Sequence, residues 1–344
     1  MPAPKKQRKS YKPPAKITEI RDVDAELDAH LGTSPPLVPV RWRLSTGITL
    51  LDLAMGGGLP SGRVTEFLGD SKTAKSALAL SAVHQVQQGG GKAWYWDVEQ
   101  GLSWELAALM GVSLDADKWK YRHYSIIEKV ITGIETICRS RIGNSCPSLH
   151  VWDSVAGGSA EVNHLTSKAD VGDQPKVASR AALMCRFFER GVLGDILDQP
   201  TFIFMVNQIR DDIGARYAGQ TMKTGGRAMK YWPAITVKCE EESKILNSAK
   251  KILGAIIKCT VIKTKFGANY RVARFPFFYD YGPDNERSIV QYLCDEGVLK
   301  TGGNAYVEWN GRNMYRDTLR DMMLEDPAVH AELLGMATKH YQEA

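Results

Sequence analysis

A short apolar run at Val64–Leu68 leads into Gly69-Asp70-Ser71-Lys72-Thr73-Ala74-Lys75-Ser76, and a helical stretch follows at Lys75–Gln88. A glycine, four intervening residues and then Ala-Lys-Ser at the mouth of a helix is the layout of a phosphate-binding loop. Successive backbone N–H groups would wrap the phosphates. The helix would turn its positive N-terminal end toward them. Gly69 through Ala77 would line a nucleotide, Lys75 would reach the β- and γ-phosphates, and the Ser76 hydroxyl would ligate Mg2+. The second glycine usual in such a loop is Ala74 here, and its Cβ narrows the backbone conformations open to it. Taken alone, the stretch also reads as a helix N-terminus with solvated lysines.

Three more apolar runs end in polar groups suited to the same chemistry. Trp94-Tyr95-Trp96-Asp97-Val98-Glu99 ends in two acids, and an acid at that strand end would orient an attacking water. Leu149-His150-Val151-Trp152-Asp153 ends in an acid that would hold Mg2+ through water. Thr201–Val206 ends at Asn207-Gln208, amides that would sense a γ-phosphate. Ser103, just beyond the Glu99 strand, joins the expected nucleotide-binding set. Each strand end also reads singly as a solvated terminus or cap. In this order they describe ATP hydrolysis with Mg2+ as cofactor.

The elements needed to position these groups follow from the pattern. Strand-like and helical stretches alternate between about Arg41 and Asp280, which predicts an α/β domain with a mainly parallel sheet. Ala234–Glu240, Ala255–Lys263 and Tyr270–Phe277 are consecutive strands, predicting an antiparallel extension. Beyond Gly282-Pro283 the chain turns acidic, with helices expected at Ser288–Glu296 and Asn313–Leu324. Ile17–Leu31 has amphipathic helical spacing. The domains expected are a basic tail plus helix over 1–40, the core over 41–282 and a small α+β domain over 283–344.

Charge and composition exclude several classes. Lys and Arg total 44, Asp and Glu 39, for a net charge of +5. Residues 1–16 carry six bases and no acid, a composition that cannot bury a core. Residues 283–344 hold six bases against eleven acids. No apolar run reaches membrane-spanning length, and the basic N-terminus lacks the apolar stretch of a secretory signal. The six cysteines show no paired or zinc-like spacing, which reads as reduced thiols in a cytoplasmic protein.

The sequence resembles the RecA family of recombinases. The likeness rests on Ser45-Thr46-Gly47, Leu51-Asp52, Gly57 through Arg63, Glu66 and Gly69 before the loop. It continues in Asp97-Val98-Glu99, Asp153-Ser154-Val155-Ala156, Asn207-Gln208-Ile209-Arg210 and Thr224 through Lys230. It runs from about Arg41 to about Leu324. The loop around Ala74 is similar to bacteriophage UvsX-type recombinases, which also lack the second glycine.

The resemblance implies a DNA-dependent ATPase that filaments on single-stranded DNA and exchanges strands with a duplex. It implies Glu99 as the water-activating glutamate, Asp153 as the Mg2+-organising acid and Gln208 as the link between γ-phosphate and DNA. Lys263 and Lys265 resemble a pair reaching a neighbouring subunit's phosphates, although solvated lysines at a strand edge have the same spacing. Lys230 and Tyr231 match a subunit interface, where Ile17–Leu31 would also pack. DNA contacts would come from Lys176, Arg180, Arg210, Ile213, Arg216, Tyr217, Lys223, Gly225, Gly226 and Arg227. The stretch Ile209–Lys230 holds five bases and two acids and would bind phosphates in a salt-sensitive way. Expected partners are single- and double-stranded DNA, further copies of the chain, and single-strand-binding and loader proteins; no membrane is expected. The expected setting is the cytoplasm of a bacterial or phage-infected cell.

Two departures stand out. Leu106 lies where many relatives place an aromatic over the base, and Asp212 replaces a common base. Trp94, Trp96 and Trp152 read as core residues or as a stacking platform. A ring-forming motor or loader of the same fold, and a DNA-binding scaffold with a decayed site, remain open from sequence.

Overall fold

Apolar runs with little alternation suit strands buried on both faces, and the computed structural model places them so. It describes residues 38–160, 175–189, 192–211, 221–223, 228–303 and 305–343. The basic tail and the helix expected at Ile17–Leu31 lie outside the described residues. Val40–Ala344 form one compact unit.

β1 (Arg43–Leu44) and β2 (Leu59–Pro60) make a short antiparallel ribbon. The main sheet comprises β3 (Val64–Gly69), β4 (Lys92–Asp97), β5 (Trp119–His123), β6 (Ser148–Asp153) and β7 (Thr201–Asp211). It continues with β8 (Thr221–Lys223), β9 (Ile235–Leu246), β10 (Ile252–Thr264), β11 (Val272–Phe278) and β12 (Gly282–Pro283). The order is β12-β11-β10-β9-β3-β7-β6-β4-β5, with β8 paired to β7. Every pairing from β9 across to β5 is parallel. The run from β9 to β12 is antiparallel, as the consecutive strands predict.

Both faces of the sheet are covered. Helices Thr49–Ala54 and Lys75–Gln88 bury Leu51, Leu78, Ala82 and Val86 against Phe67, Tyr95, Phe204 and Val237. On the other face, helices Ile127–Ser140 and Pro175–Glu189 pack Val130, Ile134 and Phe187 against Trp96, Trp152 and Met205. Trp96 and Trp152 are fully buried and Trp94 packs beside them, so these indoles are core.

Several elements differ from expectation, and three of these bear on the site or the C-terminal segment. β5 has polar residues between its aromatics, Trp-Lys-Tyr-Arg-His, as suits an edge strand that sequence hydrophobicity understates. β7 runs on past Val206 to Asp211 because Ile209–Asp211 pair with Thr221–Lys223. Helix Asn313–Leu324 starts instead at Arg316, since β15 (Arg312–Tyr315) pairs with β14 (Tyr306–Trp309), itself beside β13 (Lys300–Thr301). The turn between them is Asn310-Gly311 with φ of 50° and 73°, the left-handed pair that favours a two-residue hairpin.

The C-terminal segment has its own core of Ile289, Leu293, Val307, Leu319 and Leu333. Helix Pro327–Glu343 then returns Tyr341 to the main core, where its hydroxyl donates to the Val272 carbonyl at 3.2 Å.

The lead-in to β3 is held by a buried carboxylate. Asp52 accepts hydrogen bonds from Ser45 Oγ at 2.5 Å, Thr46 N at 2.8 Å and Thr46 Oγ1 at 2.7 Å. Burial outweighs these donors and pushes its carboxyl up to about 6. The native state then binds this proton more tightly than the unfolded chain, so stability is lost as pH rises from about 4 through about 6. Relative to Asp52→Asn, the native sequence is expected to lose on the order of 2–3 kcal/mol across that window, measured by urea unfolding. Parallel pH profiles for the two proteins would contradict this.

Candidate functional site

The loop after β3 is shaped by two kinds of constraint. Gly69 lies where β3 and β9 approach closely, and a Cβ there would sit 2.2 Å from the Cys239 carbonyl oxygen. Lys72 and Ala74 have φ of 64° and 60°, left-handed values that cost an L-residue roughly 1–2 kcal/mol relative to its preferred regions. Ala74 therefore occupies the conformation that the usual glycine adopts freely. Lys75 is buried, and its ammonium donates to the Asp70 carbonyl oxygen and, at 3.1 Å, to Thr73 Oγ1. Burial lowers its pKa.

Register brings the other groups alongside. Gly69 pairs with Gln208, and Asp97 with Asp153, so the loop, Glu99, Asp153 and Gln208 all lie at the carboxyl ends of neighbouring parallel strands, where α/β sheets bind ligands. Ser76 Oγ and Tyr95 OH each donate to Asp153 Oδ2 at 2.6 Å. Burial raises the Asp153 pKa against those two donors. Burial and Asp153 also hold the Tyr95 phenol well above its usual value, so it stays a donor.

The two acids ending β4 have separate tasks. Asp97 is buried and accepts the backbone N–H of Glu99 at 3.1 Å, Gly101 at 3.2 Å and Leu102 at 3.0 Å, and the Tyr121 hydroxyl at 3.0 Å. It fixes the turn that presents Glu99. Glu99 Oε1 accepts from Gln208 Nε2 at 2.9 Å and from Ser154 Oγ. Gly157 makes room for it, since a Cβ there would meet Glu99 Cγ at 2.2 Å. Asn207, in contrast, is buried and donates to Glu66 Oε1 at 2.8 Å, which places it behind the site.

A cleft of about 660 Å3 runs from this polar end to an apolar one. Ser71 through Ala77, Glu99, Asp153 and Gln208 line the first; Leu106, Ala255, Ile257, Phe277 and Tyr279 line the second. Ala255 and Ile257 from β10, Phe277 from β11 and Tyr279 just beyond it were not anticipated. The alternation of Phe277 and Tyr279 past the buried Phe275 was the available signal. Ser103 is not in the lining: its hydroxyl accepts from Leu106 N at 3.1 Å as the N-cap of helix Trp104–Leu109. The expected nucleotide contact of Ser103 is not among the groups brought to the cleft, and Leu106 of the same helix faces it.

Mg2+ takes oxygen ligands and keeps several waters alongside substrate phosphates. The Ser76 hydroxyl beside the Asp153 carboxylate fits that pattern. No group of three or more metal-ligating His, Cys, Asp or Glu occurs among the described residues.

The remaining expected residues fall elsewhere. Lys263 is on β10, next to a bulge, and Nζ donates to the Lys230 and Tyr231 carbonyls at 3.0 and 2.7 Å. Lys265 lies just past the strand end and is exposed, so the two do not share a regular strand face. Lys230 and Tyr231 are exposed on the short helix Ala228–Tyr231. Lys176 and Arg180 are on helix Pro175–Glu189, Arg210 on β7 and Lys223 on β8. Ile213, Arg216, Tyr217, Gly225, Gly226 and Arg227 lie outside the described residues.

A phosphate-binding loop at β3, acids ending β4 and β6, and a glutamine at the end of the parallel register define a nucleotide-binding P-loop protein of α/β fold. Residues 31–284 match the family described as the RecA N-terminal domain. Protein RecA of Arthrobacter is 30% identical over 296 residues, covering 84% of this chain and 80% of the relative. Protein RecA of Synechocystis is 29% identical over 292 residues, covering 84% and 79%, and that of Heliobacterium modesticaldum 27% over 300 residues, covering 85% and 82%. The chain belongs to the RecA family. Its function is therefore recombination and strand exchange, with DNA-dependent ATP hydrolysis as its enzymatic activity.

Ala74→Gly is expected to stabilise the nucleotide-free protein by about 0.5–1 kcal/mol, because relief of the left-handed strain exceeds the added freedom of the unfolded chain. A lower urea midpoint for the variant would contradict that balance.

Proposed function

We propose that the protein assembles as a helical filament on single-stranded DNA, binds ATP with Mg2+ in the cleft, and pairs the bound strand with a homologous duplex. The observation that carries this reading is the Gln208 Nε2 to Glu99 Oε1 hydrogen bond of 2.9 Å, made by a strand that continues into the β7–β8 hairpin. One group at the hydrolytic centre is thus built into the stem of the loop expected to meet DNA.

The phosphates lie along the backbone of Gly69 to Ser76, with Lys75 released from its loop contacts to reach them. The base lies toward Leu106, Phe277 and Tyr279. Mg2+, when bound, neutralises charge developing on the phosphate oxygens. Ser154 and Gln208 hold one oxygen of Glu99, leaving the other to take the proton of an attacking water. A γ-phosphate competes for the Gln208 amide, and the resulting shift passes along β7. Lys263 and Lys265 do not line the cleft of their own chain; they serve the site of the next subunit, with Lys230 and Tyr231 in the same interface. The bases of Ile209–Lys230, with Lys176 and Arg180, contact DNA phosphates, and Ile213 and Tyr217 stack against or wedge between bases. Residues 283–344, net −5 by sequence, limit duplex access. Single-strand-binding and loader proteins assist assembly, in the cytoplasm of a bacterial or phage-infected cell.

ATP hydrolysis is expected to rise severalfold or more when single-stranded DNA is added; turnover indifferent to DNA would overturn the reading. Glu99→Gln should lower turnover roughly 10²–10⁴-fold while retaining ATP binding. Electron microscopy should then show filaments persisting on DNA, and loss of DNA binding in that variant would remove Glu99 from the role given it.

A further inference from the structure

Asp153 Oδ2 receives two donors of different origin. Ser76 belongs to the phosphate-binding loop and is the residue that a cation would engage directly. Tyr95 comes from the middle of β4, whose neighbour β6 carries Asp153, and the two strands pair at Tyr95 and Val151. Its side chain is fully buried, and its ring lies 5.5 Å from that of Trp119. Packing on this scale leaves the phenol no alternative rotamer without opening the core.

A carboxylate held at one oxygen by a fixed donor cannot rotate freely about its side-chain bond. The need is acute because Asp97 and Glu99 repel the same charge. Ser76 alone would tie the carboxylate's orientation to the phosphate-binding loop. Outer donors of this kind orient metal-binding groups and commonly govern metal affinity.

We infer that Tyr95 is a positioning residue for Asp153, fixing the carboxylate from the sheet side so that it is set for the nucleotide-bound cation independently of the phosphate-binding loop. This rests on the Mg2+–nucleotide reading of the cleft. Tyr95 touches neither nucleotide nor water; it acts through Asp153.

The test is equilibrium binding of a fluorescent ADP analogue to the full chain, titrated with Mg2+ and repeated in EDTA. Tyr95→Phe keeps the ring and removes only the donor. It is expected to raise the half-saturating Mg2+ concentration about tenfold, with binding in EDTA unchanged. Asp153→Asn should raise it as well, and Tyr95→Phe added to Asp153→Asn should raise it no further. If Asp153→Asn shifts the titration and Tyr95→Phe does not, the inference is overturned while the site reading stands. If the two effects multiply, Tyr95 acts through the core and the inference is again overturned. If Asp153→Asn has no effect, the Mg2+ reading itself falls and takes the inference with it.

Discussion

Parallel pairing in register is the constraint on which the site depends. Gly69 pairs with Gln208 and Asp97 with Asp153. A slip of one residue in any of these strands would turn its terminal polar group to the opposite face. The loop, the two acids and the glutamine come from segments far apart in sequence, yet no dedicated scaffold holds them. The sheet does so as a by-product of burying Phe67, Trp152 and Phe204.

A second layer of polar contacts converts strand ends into a defined geometry. Asp97 receives three backbone N–H groups and a phenol, so the turn bearing Glu99 is fixed by a buried carboxylate. Glu66 ties β3 to β7 through Asn207 at 2.8 Å and to β9 through Thr236 at 3.2 Å. Buried polar groups of this kind are costly unless satisfied; here, satisfying them also aligns the strands.

The fold was largely legible because buried parallel strands read as short apolar runs and each ends at a chemically distinctive residue. Lys75 and Ser76 follow from the loop motif, Asp153 from strand position, and Glu99 and Gln208 from the family resemblance; the structure brings all five to one cleft. What escaped was set by tertiary pairing. β5 is polar and short, and the extension of β7 exists only through its partner β8. The apolar wall from β10 and β11 comes from residues that look like ordinary core. Ser103 shows that a hydroxyl near a site is as useful to a helix N-terminus as to a ligand. Tyr95 was hidden within an aromatic run, where nothing in the spacing separates a phenol that reaches Asp153 from the indoles that fill the core.

The extension of β7 also has a mechanical consequence. A paired strand is stiff along its axis, with about 3.4 Å per residue and no slack to absorb displacement. Gln208 and Asp211 sit on one such uninterrupted strand. Gln208 and the residues Ile209–Asp211 that pair with β8 therefore share one stiff element, as two points on a connecting rod. A flexible joint at this point would uncouple them.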